Sequence, residues 1–170
     1  MTTIAPVAPR AAAARPLPAL APHLVAVLRE AFEGLTAGEP HFTDPRPEGG
    51  LFGTLAMLSS AQVSRPAGGH GATIAGHVQH LAFRLSAGTS WIRGEHRTWT
   101  WDESGQVRRV TDGEWLGLKA QLREEYGVLL ATLERHALDT DEALDGAIGA
   151  LAHAVYHLGA IHARALARVG

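Results

Sequence analysis

The chain of 170 residues contains no cysteine. Disulfides and thiolate metal sites are thereby excluded, so any transition-metal site must be built from His, Asp or Glu. The absence also fits a cytoplasmic location. No apolar run approaches the roughly 18 residues that a bilayer-spanning helix requires. Pro6, Pro9, Pro16 and Pro18 interrupt the N-terminal stretch, which argues against a signal peptide. There is little net charge, a formal -2 with 15 basic and 17 acidic residues. A protein that binds nucleic acid by neutralising phosphates needs a basic surface, so no nucleic-acid partner is expected. Familiar catalytic signatures are missing as well. There is no Gly-x-Ser-x-Gly, and the glycine-rich run around His70 is neither a phosphate loop nor a dinucleotide fingerprint.

Proline is confined to the first part of the chain. Eight of the nine lie before residue 48, the last is Pro66, and long helices are permitted from there onward. Residues 1–17 read as a disordered or loosely attached arm, and residues 18–170 as one domain with one core. Leu20, Leu24, Val27, Leu28 and Ala31 recur at helical spacing and predict a first long helix over about Leu20 to Leu35. After a Pro/Gly/Asp-rich loop, Leu51 to Ser64 reads as a short helix. A second long helix is predicted from near Thr73 to about Ala87, with Ile74, Val78, Leu81 and Leu85 as its apolar stripe. Residues 88–110 form a long irregular connection in which the alternation of Thr98 to Trp101, the turn at Asp102 to Gly105, and Gln106 to Val110 suggest a small hairpin. Thr111 and Glu114 have capping-box spacing and start a third long helix that runs to about Arg135. Asp139 with Glu142 starts a fourth in the same way, running to about Ala167. Its Leu144, Ile148, Leu151, Val155 and Leu158 share one face. Gly146, Ala150, His153, His157 and Ala160 share the other, so it reads as a buried helix. The sum is an all-α four-helix bundle.

Ten histidines are present, and their placement is informative. His153 and His157 are one turn apart on the fourth helix and point to one side of it; His77 and His80, three apart, do the same on the second. Two imidazoles on one face form a chelate for a borderline metal such as zinc or nickel. Residue 154 is alanine, so the His-Glu-x-x-His pattern of metalloproteases, with its glutamate base, is absent. The plain alternative is that these are structural histidines hydrogen-bonded to backbone. His162 lies well round the helix from His157 and reads as structural. Arg84, a turn beyond His80, is either a solvated flank or a holder of an anionic substrate group. Trp99 and Trp101 either line a pocket mouth or fold back as lids on the core.

The stretches Thr73 to Phe83 (TIAGHVQHLAF) and Ala152 to Ile161 (AHAVYHLGAI) resemble the DinB/YfiT-like metalloenzyme superfamily, and Val110 to Trp115 (VTDGEW) is similar to one branch of it. The resemblance spans the chain from about Leu20. It implies a four-helix bundle, a homodimer, and a divalent metal, zinc or nickel, held by three histidines. These map onto His153, His157 and His80, with His77 as the alternative to His80. It also implies a small-molecule substrate. Metal-dependent hydrolysis and transfer of a low-molecular-weight thiol co-substrate are both compatible with the residues. A non-enzymatic binding or dimerisation module is the alternative function. One departure stands out: a glutamine common three residues after the last ligand is replaced here by Ala160.

Overall fold

The structure, a computed structural model, describes residues 20–35, 38–46, 48–69, 71–95, 97–100 and 104–166. It is all-helical among them: α1 (Leu20–Glu33), α2 (Leu51–Ala56), α3 (Ser60–Val63), α4 (Ile74–Ile92), α5 (Asp112–Arg135) and α6 (Asp141–Leu166). The N-terminal arm, residues 1–17, lies outside the described residues. None of the described helices is long and apolar enough to cross a membrane.

The four long helices close a ring of contacts. α4 packs on α5 and α6, and α1 packs on the same two from the opposite side. One continuous cluster of buried apolar side chains joins them, with Leu28, Phe32, Leu81, Leu85, Leu122, Leu129 and Ile161 essentially inaccessible. Burial of that many large side chains, each worth about 1.5–3 kcal/mol, is what offsets the chain entropy.

Helix starts follow local chemistry. The Thr111 hydroxyl accepts from the Glu114 amide while the Glu114 carboxylate accepts from the Thr111 amide at 2.7 Å, so the expected capping box forms. Thr73 caps α4 by accepting from Gly76 N at 3.0 Å. α6 departs from expectation. Its cap is Thr140, whose hydroxyl accepts from Ala143 N at 3.1 Å, rather than Asp139. The run from Leu51 is two short helices rather than one, because Ser59 and Gln62 form their own capping box and restart the chain. α1 ends at Glu33 because Gly34 turns at φ 85° and its amide closes on Glu30 O at 3.0 Å.

Three further expectations are corrected. α4 runs to Ile92, five residues past Ala87, although Ser86-Ala-Gly-Thr-Ser90 is a weak helix former. Close packing overrides propensity there: a Cβ on Gly88 would meet Gly146 O at 2.9 Å and Ala150 Cβ at 3.2 Å, and one on Gly146 would meet Gly88 O at 2.9 Å. That approach also decides which face of α6 is buried. Its small face (Ala143, Gly146, Ala147, Ala150, Ala154) goes in. Of the expected apolar stripe Ile148 is 48% exposed, Leu144, Leu151 and Val155 are half-buried, and Leu158 alone is buried, so α6 is not buried all round. Finally, no strand occurs among the described residues of 97–110, so the hairpin does not form there; Trp101, Asp102 and Glu103 lie outside the described set. Instead Gln79 Oε1 on α4 accepts from Gly105 N at 3.1 Å and Val107 N at 3.2 Å, and Thr73 Oγ1 donates to Val107 O at 2.8 Å. Gly76 lets this connection lie against the helix, since a Cβ there would meet Gly105 O and Val107 O at 2.9 Å.

Candidate metal centre

α4 and α6 run antiparallel, so the histidines at the N-terminal end of one meet those in the middle of the other. His77 Nδ1 and His157 Nδ1 are 2.9 Å apart. The rings of His80, His153 and His157 are in mutual contact, with centroids 6.0 Å (His80–His153), 5.3 Å (His80–His157) and 6.2 Å (His153–His157) apart. All four histidines line one cavity of about 300 Å³, with Tyr156 at its edge. Both His77 and His157 are buried, at 8% and 4% exposure, so the pair is part of the core as well as of the cavity wall.

Burial disfavours the protonated form of each of the four imidazoles. Burial, then the Arg164 charge, then His80 hold His77 down at about 4. Burial, then the neighbouring His77, His80 and His153, hold His157 at about 3. His80 and His153 are lowered chiefly by burial. Neutral imidazole is the metal-binding form.

Tautomers follow from partners. His153 Nδ1 lies 3.0 Å from Gly149 O, a carbonyl, so it carries the proton and leaves Nε2 bare. His80 Nδ1 pairs with the Ser104 hydroxyl at 2.8 Å. Orientation of a ligating ring through its other nitrogen is how metal sites are commonly held. Between His77 and His157 one nitrogen donates and the other accepts. His77 Nε2 is then a buried polar atom with no hydrogen-bond partner, which costs about 1–3 kcal/mol unless something binds it.

Metal–nitrogen bonds of about 2.0 Å, with about 1.1 Å more to each ring centre, place tetrahedral imidazole centroids about 5 Å apart. The His77–His157, His80–His157, His80–His153 and His153–His157 pairs, at 5.0, 5.3, 6.0 and 6.2 Å, are at this spacing or about an ångström wider. Among the described residues no group of three or more His, Asp or Glu side chains stands ready to hold an ion as placed. Imidazole nitrogens are the donor type that zinc and nickel take.

The remaining residues fall as follows. His162 is half-buried, and its Nε2 is 2.6 Å from Thr54 Oγ1, away from the cavity, as its structural reading requires. Trp99 stacks edge-on against Phe83 at 5.1 Å; Trp101 and His70 lie outside the described residues. Arg84 is not a plain solvated flank: its Nη2 is 3.5 Å from His153 Nδ1 and its guanidinium sits over the Trp91 ring. Tyr156, Ser104 and Arg164 were not legible as site residues. Only Arg164, two turns from His157 on the same face, carried a positional signal. No family model, no curated protein and no solved structure matches this chain.

Proposed function

We propose that the chain is a DinB-like four-helix bundle that binds a divalent metal, zinc or nickel, through His80, His153 and His157, and acts as a metal-dependent hydrolase or low-molecular-weight-thiol S-transferase on a small-molecule substrate. The observation that carries this reading is the convergence of four neutral imidazoles, from helices far apart in sequence, on one cavity. His80 is preferred over His77 because its ring contacts both His153 and His157, whereas His77 spends its Nδ1 on His157. The bound ion would supply Lewis acidity for hydrolysis or for activating a thiol. The chain's own part is to present bare nitrogens: Gly149 O fixes the His153 ring and Ser104 the His80 ring. The resemblance also implies a homodimer, which sedimentation of the purified protein reads directly.

Elemental analysis followed by zinc titration tests the site. Near-stoichiometric metal in the purified protein, lost in His153→Ala, is the expected result, together with a zinc-dependent rise in melting temperature. Metal that persists in His153→Ala rejects these ligands; protein that takes up neither zinc nor nickel rejects the site.

A second reading, a non-enzymatic bundle with structural histidines, is favoured by the backbone and hydroxyl partners that His80 and His153 already have and by the absence of a closed donor set among the described residues. It requires that removing any of these histidines leave metal content unchanged.

A further inference from the structure

The outer line of α6 carries no charge beyond its first turns. Its exposed residues after Asp145 are Ile148, Ala152, Tyr156, Gly159, Ala163 and Leu166, recurring every three or four positions. Ile148 is 48%, Tyr156 67% and Leu166 71% exposed. No Asp, Glu, Lys or Arg occurs between Asp145 and Arg164. α5 is the control within the same bundle, since its exposed residues include Asp112, Glu114, Arg123, Glu124 and Glu134. A helix that faces water normally turns charge outward, and a contiguous apolar strip in its place marks a contact surface.

Three features of the strip say what covers it. Its ends differ in charge: Asp141, Glu142 and Asp145 stand at the start of α6 and Arg164 in its last turn. A parallel copy of the helix would set acid against acid. An antiparallel copy sets the acidic end of each against the basic end of the other, with the helix dipoles opposed. Sizes also match in reverse order. About a two-fold axis near residue 157, Tyr156 meets the partner's Gly159, Ala152 the partner's Ala163, and Ile148 the partner's Leu166. A Cβ on Gly159 would meet nothing within 4 Å in its own chain, so the place is open to receive a ring. The strip is also long enough. At about 1.5 Å per residue it runs about 27 Å from Ile148 to Leu166. Two such strips face to face bury on the order of 1,000 Å², the lower end of specific interfaces.

We propose that this strip is the interface between two copies of the chain, paired antiparallel with Tyr156 of each packed on the partner's Gly159. The proposal rests on the homodimer expected above and names its surface; it does not depend on the metal. Tyr156 also stands at the edge of the histidine cavity, so the pairing sets a second copy beside the proposed metal centre.

Sedimentation velocity of the full chain over a range of concentrations is the first measurement, and a reversible dimer is expected. Ala152→Glu buries a carboxylate in the contact and should weaken association at least tenfold. Ala152 is exposed, so the monomer itself is not disturbed. Leu116→Glu, on the exposed side of α5, should change association less than twofold. Orientation is read by cross-linking. The chain has no cysteine, so each introduced cysteine is unique. In the antiparallel register Gly159 lies about 5 Å along the axis from the partner's Gly159, and Ile148 about 28 Å from the partner's Ile148. A short bis-maleimide should therefore link Gly159→Cys to itself, leave Ile148→Cys unlinked, and join Ile148→Cys to Leu166→Cys in a mixture of the two. A monomer at every concentration overturns this face and the homodimer together. A dimer that Ala152→Glu leaves intact, one that Leu116→Glu dissociates, self-linking of Ile148→Cys, or no self-linking of Gly159→Cys overturns this face alone. Zinc uptake by the same samples reports on the metal centre alone.

Discussion

Two buried polar clusters in this protein are built on opposite terms. Glu30, on α1 and 5% exposed, is saturated. Its carboxylate accepts from the backbone amides of His41, Phe42 and Thr43, from the Thr43 hydroxyl and from the His41 ring, at 2.8 to 3.1 Å. Burial alone would raise its pKa, but the Phe42, Thr43 and His41 donors together outweigh burial and hold it at about 2. The α4–α6 cluster has four imidazoles whose basicity burial itself suppresses, yet it retains an unpartnered nitrogen and a cavity. A saturated cluster ties a loop to a helix and has nothing left to offer. An unsaturated one sits at a cost that binding can recover, which is the physical ground for looking for function there.

The sharpest way to break that contrast is Glu30→Ala. It strands several backbone donors at once, and we expect it to cost on the order of 3–5 kcal/mol in a denaturant melt; a loss below about 1 kcal/mol would mean that the cluster is not the anchor its geometry indicates. Gly88→Leu should cost about 3 kcal/mol, since the new side chain must displace the Gly146 backbone, and it should abolish any zinc binding by pushing α4 off α6. Zinc uptake that survives with the fold intact would show that the histidine cluster does not depend on this approach.

Acid separates the clusters by pH. His77 and His157 bind protons more weakly folded than unfolded, so the unfolded chain takes up more protons and stability falls as pH drops from about 6.5 toward about 4 and 3 respectively. Glu30 contributes above about 4.5 and loses its contribution as pH falls toward about 2. Metal-free protein should therefore lose on the order of a few kcal/mol in two stages, imidazoles first. A stability profile flat between pH 6.5 and 5 would contradict the burial of the His77–His157 pair. The smallest expected effect is His77→Leu, a net cost of about 1–2 kcal/mol, because it removes the orphaned Nε2 but leaves the buried His157 Nδ1 without its partner. In the same assay it should weaken zinc less than tenfold, while His80→Ala weakens it at least a hundredfold. The reverse order would make His77 the α4 ligand.

Much of the helical framework was legible because it rests on local rules. The Thr111–Glu114 box and the start of α4 at Thr73 are short-range chemistry, and the structure keeps them. The Thr140 cap and the Ser59–Gln62 restart are local chemistry, whereas the other errors originate in long-range packing. The last five residues of α4 are helical, and the smaller face of α6 is the inner one, because Gly88 and Gly146 let two backbones touch. The strap from Gly105 to Val107 bonds to Gln79 and Thr73 instead of forming a hairpin, and no pattern within residues 97–110 announces that.

The sequence by itself determined that there are four long helices and that each of two carries paired histidines on one face, because helical periodicity is a property of adjacent residues. Tertiary structure alone decided that those faces meet, that Arg84 and Arg164 bracket them, and that Gly149 and Ser104 orient the rings. Contacts between residues about 80 apart depend on which helix surfaces pack together, and a seam of small residues gives no sign of its partner until the two helices are in contact.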